Sequence, residues 1–123
     1  MEHSVTCTAM IKNNLTADMR DEIVSRLTKD FAIKHIILFG SHAWGTPHHD
    51  SDVDLVVVLD QPGIETSLWT RVKRNVEVTS KLRDIRMKIP MDVLVYSRDE
   101  WDRLVNEGIS FYRIISRHGV PLA

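Results

Sequence analysis

The chain has 123 residues, 43% hydrophobic and 27% charged, with a formal net charge of -1; these values suit one globular domain and exclude the disordered and membrane-spanning classes. So small a charge gives no global pull toward nucleic acid or anionic lipid, and direct binding to either is not expected. Cys7 is the single cysteine, which excludes an intrachain disulfide. MEHSVTCTAM has neither the basic nor the apolar segment of a secretion signal, so a reducing, cytoplasmic setting is expected.

Residues 1–14 carry no hydrophobic period and are expected to form a loosely held arm, with a single domain over 15–123. Thr16 is a candidate N-cap, and Met19, Ile23 and Leu27 form one apolar stripe of a helix of about three turns. Ile33 and Ile36 to Phe39, rich in β-branched residues, read as a strand buried on both faces, ended by Gly40. A loop with Gly45 and Pro47 follows, with a helical turn opening at Ser41. Val53 to Leu59 predicts a second buried strand, stopped by the turn cluster Asp60, Gln61, Pro62 and Gly63. Leu68, Val72, Val76, Thr79, Leu82, Ile85 and Ile89 keep helical spacing up to Pro90 and predict one long amphipathic helix. Met91 to Tyr96 reads as a third strand. Ser97 and Glu100 match the S-x-x-E capping box of a helix through Trp101, Leu104 and Val105. Gly108 breaks it, and Phe111 to Arg117 makes a last helix ending at Gly119. Trp69, Trp101 and Tyr112 fall in helical stripes and read as packing residues. Helices alternating with short buried strands predict an α/β sandwich around a small sheet.

Asp52 and Asp54 stand at the mouth of the second strand, where carboxylates are poorly tolerated. On a strand they share one face, about 6.6 Å apart, and at an effective dielectric of ~20 their charges repel by roughly 2 to 3 kcal/mol. Asp92 repeats the placement at the mouth of the third strand. A hard divalent cation such as Mg²⁺ offsets three convergent carboxylates. Upstream, Gly40 and Ser41 follow the first strand where a tight turn turns backbone N–H groups toward an anion. Taken singly, the Gly-Ser is a turn, Asp52 a loop cap and Asp54 a satisfied strand-end acid; together they are the equipment of phosphoryl or nucleotidyl transfer. Asp50, Asp52 and Asp54 imitate a calcium loop, but Leu55 stands where that loop needs glycine and Gln61 where it needs glutamate. His42, His48, His49 and Cys7 fit no common zinc spacing. Arg74, Lys81 and Lys88, seven apart, predict a basic row on the long helix, read first as a solvated face and otherwise as a grip for an acidic partner or a phosphate.

Gly40-Ser41, ten residues from His42 to Ser51, then Asp52-Val53-Asp54 resembles the G-S-x10-D-x-D signature of the DNA polymerase β nucleotidyltransferase superfamily. Over nearly its whole length the chain is similar to the minimal nucleotidyltransferase branch, with the Asp92 strand and the closing SFYRIISRHGVPL in matching places. The resemblance implies a polymerase β-like α/β fold, a small mixed sheet flanked by helices. It implies that Asp52 and Asp54 ligate two Mg²⁺ ions, that Asp92 completes the metal site and activates the attacking hydroxyl, and that Gly40 and Ser41 hold the triphosphate of a nucleoside triphosphate such as ATP. Many relatives carry arginines just after the Gly-Ser; here His42 and Trp44 stand in that region as candidate nucleotide contacts.

The branch often supplies the antitoxin of a pair whose toxin is an all-helical HEPN ribonuclease, silenced by transfer of AMP to a tyrosine. The resemblance therefore implies an Mg²⁺-dependent nucleotidyltransferase acting on a cognate HEPN toxin, in a hetero-oligomer with it. Two alternatives stand beside it: an antitoxin that neutralises its partner by occlusion without catalysis, and a nucleotidyltransferase acting on a small molecule such as an aminoglycoside.

Overall fold

A computed structural model of the chain describes residues 17–40, 43 and 52–123. The expected arm at 1–14, the cap at Thr16 and the loop positions Ser41, His42 and Trp44 lie outside the described residues. In chain order the described elements are α1 (Ala17–Asp30), β1 (Ile33–Phe39), β2 (Val53–Leu59), α2 (Leu68–Ser80), α3 (Arg83–Lys88), β3 (Met91–Ser97), α4 (Arg98–Asn106), α5 (Ser110–His118) and β4 (Val120–Pro121). The strands make one mixed sheet in the order β3-β2-β1-β4. β1 runs antiparallel to β2 and β4, and β2 runs parallel to β3 through the crossover formed by α2 and α3.

Alternation along the strands divides the core in two. Val53, Leu55, Val57 and Leu59 of β2 join Ile23 and Leu27 of α1, Val78 of α2, Ile85 of α3 and Leu82, which caps α3. Val56 and Val58 join Ile37 and Phe39 of β1, Trp101 of α4 and Ile115 of α5 on the other side. The molecule is thus three layers, with α1, α2 and α3 on one face of the sheet and α4 and α5 on the other. Among the described residues no helix is long and apolar enough to cross a membrane.

The single long helix expected up to Pro90 is two helices. Near its end, Thr79 and Ser80 turn their hydroxyls back onto the Asn75 and Glu77 carbonyls, at 2.9 and 2.8 Å. Such bonds compete with the helical ladder and bend it. The next amides tighten to i→i+3 bonds, Lys81 N–H to Val78 O and Leu82 N–H to Thr79 O. Arg26 of α1 reaches the break, donating to the Lys81 carbonyl at 3.3 Å and pairing with Asp84 at 3.2 Å. The break also dissolves the expected basic row, because Arg74 turns inward to Glu100 at 2.8 Å while Lys81 pairs with Asp30 at 3.5 Å.

Two helices leave part of their apolar stripes exposed. Trp101 is buried, but Trp69 is 71% exposed, and Leu68, Val72 and Val76 of the same stripe are also exposed. On α5, Ile115 is buried while Phe111 and Ile114 are exposed. Only one side of each helix meets the sheet, and these residues lie off that side. β4 was not signalled: two residues are too few for a period, and it exists through pairing of Val120 and Pro121 with Leu38 and Ile37.

Glu100 ties the α2 side of the molecule together. Its carboxylate and Ser97 form the expected capping box, with Ser97 N–H donating to Oε1 at 2.9 Å and Glu100 N–H to the Ser97 hydroxyl at 3.1 Å. The same carboxylate accepts from Arg74 and from the Glu65 amide at 2.8 Å. Burial pushes the Glu100 carboxyl upward, but the donors from Arg74, Glu65 and Ser97 outweigh it, and the net displacement is downward. A lowered carboxyl stabilises the fold fully above its ordinary value of 4.5 and loses that contribution as pH falls through the folded value. Glu100→Gln is expected to cost about 2 to 4 kcal/mol at neutral pH, since it strands a buried guanidinium. Urea unfolding measured from pH 7 downward should show the wild-type advantage shrinking below pH 4.5. An advantage that is constant with pH would remove Glu100 from this role.

Candidate active site

The register of β2 against β3 brings two of the acids together. Asp54 and Asp92 are Cα partners in the parallel ladder, between Val53↔Met91 and Leu55↔Val93. Partners in such a ladder lie about 4.8 Å apart with side chains on one face. Because Val53 and Leu55 belong to the α1–α3 core and Val56 to the other, alternation turns Asp54 toward the α4–α5 face. By the same count Asp92, two residues before Leu94, shares that face. Both lie where the strands begin, beyond the apolar cover of Trp101 and Ile115. Asp92 is exposed and Asp54 half-buried, while Asp52 stands exposed just upstream of β2. At the ladder spacing, two carboxylates repel by about 3 kcal/mol at a dielectric of ~20, before solvent screening.

The third carboxylate does not close the group. Among the described residues no three His, Cys, Asp or Glu side chains are gathered tightly enough to hold a metal ion. Of the three acids expected to converge, Asp54 and Asp92 form an in-register pair and Asp52 stands exposed just upstream of β2. The donor set remains all-carboxylate, the chemistry that suits a hard divalent cation.

Gly40 closes the other side of Asp54. Phe39, the last residue of β1, is the antiparallel partner of Asp54, and Gly40 follows with φ +79. A Cβ on Gly40 would run into Oδ2 of Asp54. The Ala43 N–H returns to the Gly40 carbonyl at 3.0 Å, closing a turn directly after the strand. Glycine is thus required twice, for its backbone conformation and for the approach of the carboxylate.

Phe111 adds an aromatic surface to this end of the sheet. Its exposed ring stands edge-on to Phe39 with centroids 5.7 Å apart, one strand from the acid pair, where it offers a base or a partner side chain an apolar face. Phe111 opens the apolar spacing with Ile114 and Ile115 of its helix, which in sequence does not set it apart from a core residue. Elsewhere, a cavity of about 240 Å³ lined by Ile64, Arg71, Tyr96, Glu100 and Leu104 lies at the far end of β3 from Asp92. Burial, and then the hydroxyl contact with Tyr112 at 3.2 Å, push the Tyr96 phenol far above its usual range.

The family model described as Polymerase beta, Nucleotidyltransferase matches residues 21–116, which include Gly40 and all three aspartates. No curated protein matches the chain in sequence. Among solved structures, a chain in the crystal structure of a toxin-antitoxin with AMP-PNP is similar in fold, with a TM-score of 0.52 and 20% identity over 85% of this chain and 72% of that one.

The Gly40 contact is testable against an internal reference, Gly63, which has φ +97 and nothing within 4 Å of an added Cβ. Gly63→Ala should cost about 1 kcal/mol from the left-handed backbone alone. Gly40→Ala should cost roughly 1 to 3 kcal/mol more, because the Asp54 carboxylate must also move. Equal losses in urea unfolding would show that Asp54 does not press on Gly40.

Proposed function

As this chain belongs to the polymerase beta nucleotidyltransferase family, we propose that it transfers a nucleotide at the acid edge formed by Asp52, Asp54 and Asp92. We take it to be a minimal nucleotidyltransferase antitoxin that moves AMP from ATP to a tyrosine of a cognate HEPN toxin. The observation that carries this reading is the in-register pairing of Asp54 with Asp92 across parallel strands, with Gly40 against the same carboxylate. The Gly40-Ser41 to Asp52-Val53-Asp54 spacing supports it, as does the fold shared with a chain of a toxin-antitoxin crystallised with AMP-PNP.

In this reading Asp52 and Asp54, with Asp92, hold Mg²⁺. The metal, when bound, neutralises the triphosphate and the charge that develops on the leaving group. Gly40 and Ser41 would hold the triphosphate, and His42 and Trp44 would contact the nucleotide. Asp92, exposed at the strand mouth, takes the proton of the acceptor hydroxyl. That oxygen bonds to the α-phosphorus, the bond from the α-phosphorus to the bridging oxygen breaks, and pyrophosphate leaves with the electron pair. Phe39 and Phe111 keep the sheet side of the site apolar. The reaction is then one of positioning and charge neutralisation.

A second reading, neutralisation by occlusion alone, is favoured by one observation, the exposed apolar face of α2. Asp52→Asn with Asp54→Asn separates the two. The catalytic account expects loss of label transfer from α-labelled ATP by about 10³-fold or more, loss of Mg²⁺-dependent ATP heat in calorimetry, and intact complex formation with the toxin. Undiminished neutralisation of the toxin by the double variant would refute it.

A further inference from the structure

The helix α2 carries its longest apolar stripe away from the core. Leu68, Trp69, Val72 and Val76 are 74, 71, 44 and 59% exposed, and at about 100° per residue they occupy one arc of roughly 100°. The helix is not held by that stripe. Its sheet side is Val78 and Thr79, which are buried, together with Arg74 and Asn75. A shallow groove of about 350 Å³ runs between the stripe and β3, lined by Leu68, Val72, Val76, Leu94 and Tyr96.

The occupant follows from what the groove offers. β3 is an edge strand, but its outward carbonyls at Val93 and Val95 are taken by Asn75 at 3.2 Å and Arg74 at 3.3 Å. An added strand would find those acceptors used. A helix laid along the stripe needs no backbone partner. Charge then narrows the choice. Arg71 borders the stripe on one side and Lys73 on the other, both exposed. An antiparallel two-fold pairing of α2 with a second copy sets the Arg71 flank against itself, which disfavours self-association on that side, while Lys73 with Glu77 leaves the other flank mixed.

We infer that this face of α2 is the docking surface for an amphipathic helix of a partner protein, with an apolar stripe flanked by acidic residues. Leucine-sized side chains fill the groove against Val72 and Val76, Trp69 closes one border, and Arg71 and Lys73 read the acidic flanks. Beside the stripe, Asn75 ties α2 to the carbonyl of Val93, the chain neighbour of Asp92. The inference depends on the functional reading above only in that a partner exists, and it fails separately from it.

The probe is a synthetic helical peptide of roughly five turns, with leucines on one stripe and glutamates on both flanks, compared with the same peptide carrying lysines for glutamates. Binding to the full chain is followed by tryptophan fluorescence and calorimetry at low salt. The glutamate peptide should bind at least about tenfold tighter, and more weakly as salt rises. Val72→Glu with Val76→Glu should abolish that binding with an unchanged thermal melt, since both residues are exposed. Arg71→Glu with Lys73→Glu should reverse the preference between peptides. Asp54→Asn should leave binding intact, separating docking from nucleotide transfer. Equal binding of the two peptides, or none up to the order of 1 mM, overturns the inference. So does a dimer in sedimentation that the Val72→Glu and Val76→Glu variant dissolves, because the occupant is then a second copy.

Discussion

Parallel pairing of β2 with β3 puts Asp54 beside Asp92, and that pairing is held by residues that have no part in any chemistry. From Val53↔Met91 to Leu59↔Ser97 the register runs without a slip. A slip of one residue would turn Asp54 into the core among Ile23, Leu27 and Leu82 and push Leu55 and Val57 to the opposite face. An unpaired carboxylate there costs several kcal/mol. Attraction between the acids plays no part, because they repel by about 3 kcal/mol or less. Each fully buried Val or Leu of β2 contributes about 1.5 to 3 kcal/mol, so a few of them offset the repulsion. The apolar alternation of one strand thereby imposes an electrostatically unfavourable arrangement on its neighbour. Such a conflict between local preference and global fold is what a functional site leaves in a sequence.

The free edge of β3 is managed by polar side chains instead. Arg74 donates to the Val95 carbonyl and to both oxygens of Glu100, and Asn75 donates to Val93. These bonds hold α2 at a fixed rotation about its own axis. With Val78 pressed to the sheet and Arg74 turned to Glu100, the residues from Leu68 to Val76 stand beside the edge of β3 and stay exposed. Exposure of the apolar stripe is therefore a consequence of how α2 is anchored, and relaxing it inward would break the buried ion pair.

The strands were legible because each is a short apolar run bounded by glycine, proline or acid, and β2 begins and ends where Val53 and Leu59 predicted. The capping box at Ser97 and Glu100 was legible for a similar reason, since two side chains and two amides three residues apart suffice to make it. Periodicity misled in α2. A helix that covers its stripe with another chain has the same spacing as one that covers it with its own sheet, so Leu68, Trp69, Val72 and Val76 read as core. The break at Lys81 was hidden because Thr79 and Ser80 act through backbone bonds that leave the apolar period undisturbed. Of the site, sequence alternation set Asp54 on the face opposite Val53, as in the structure, but it did not foresee that Gly40 packs against the Asp54 carboxylate.

The two ends of α2 serve different masters. Its N-terminal turns carry the exposed tryptophan and leucine beyond the capping loop fixed by Glu65 and Glu100. Its later turns reach Val93, next to Asp92, through Asn75. A body resting on the stripe would therefore be referenced to the acid edge through one rigid helix, with the β3 ladder as the other arm of the frame. Orientation of an acceptor hydroxyl needs that kind of rigidity, because a misplacement of about 1 Å costs roughly 10²-fold in rate. The Arg74–Glu100 pair stands at the middle of the frame, with both side chains nearly removed from water. An ion pair so placed contributes little net stability over an apolar replacement, but it specifies a single geometry where a greasy contact would tolerate several.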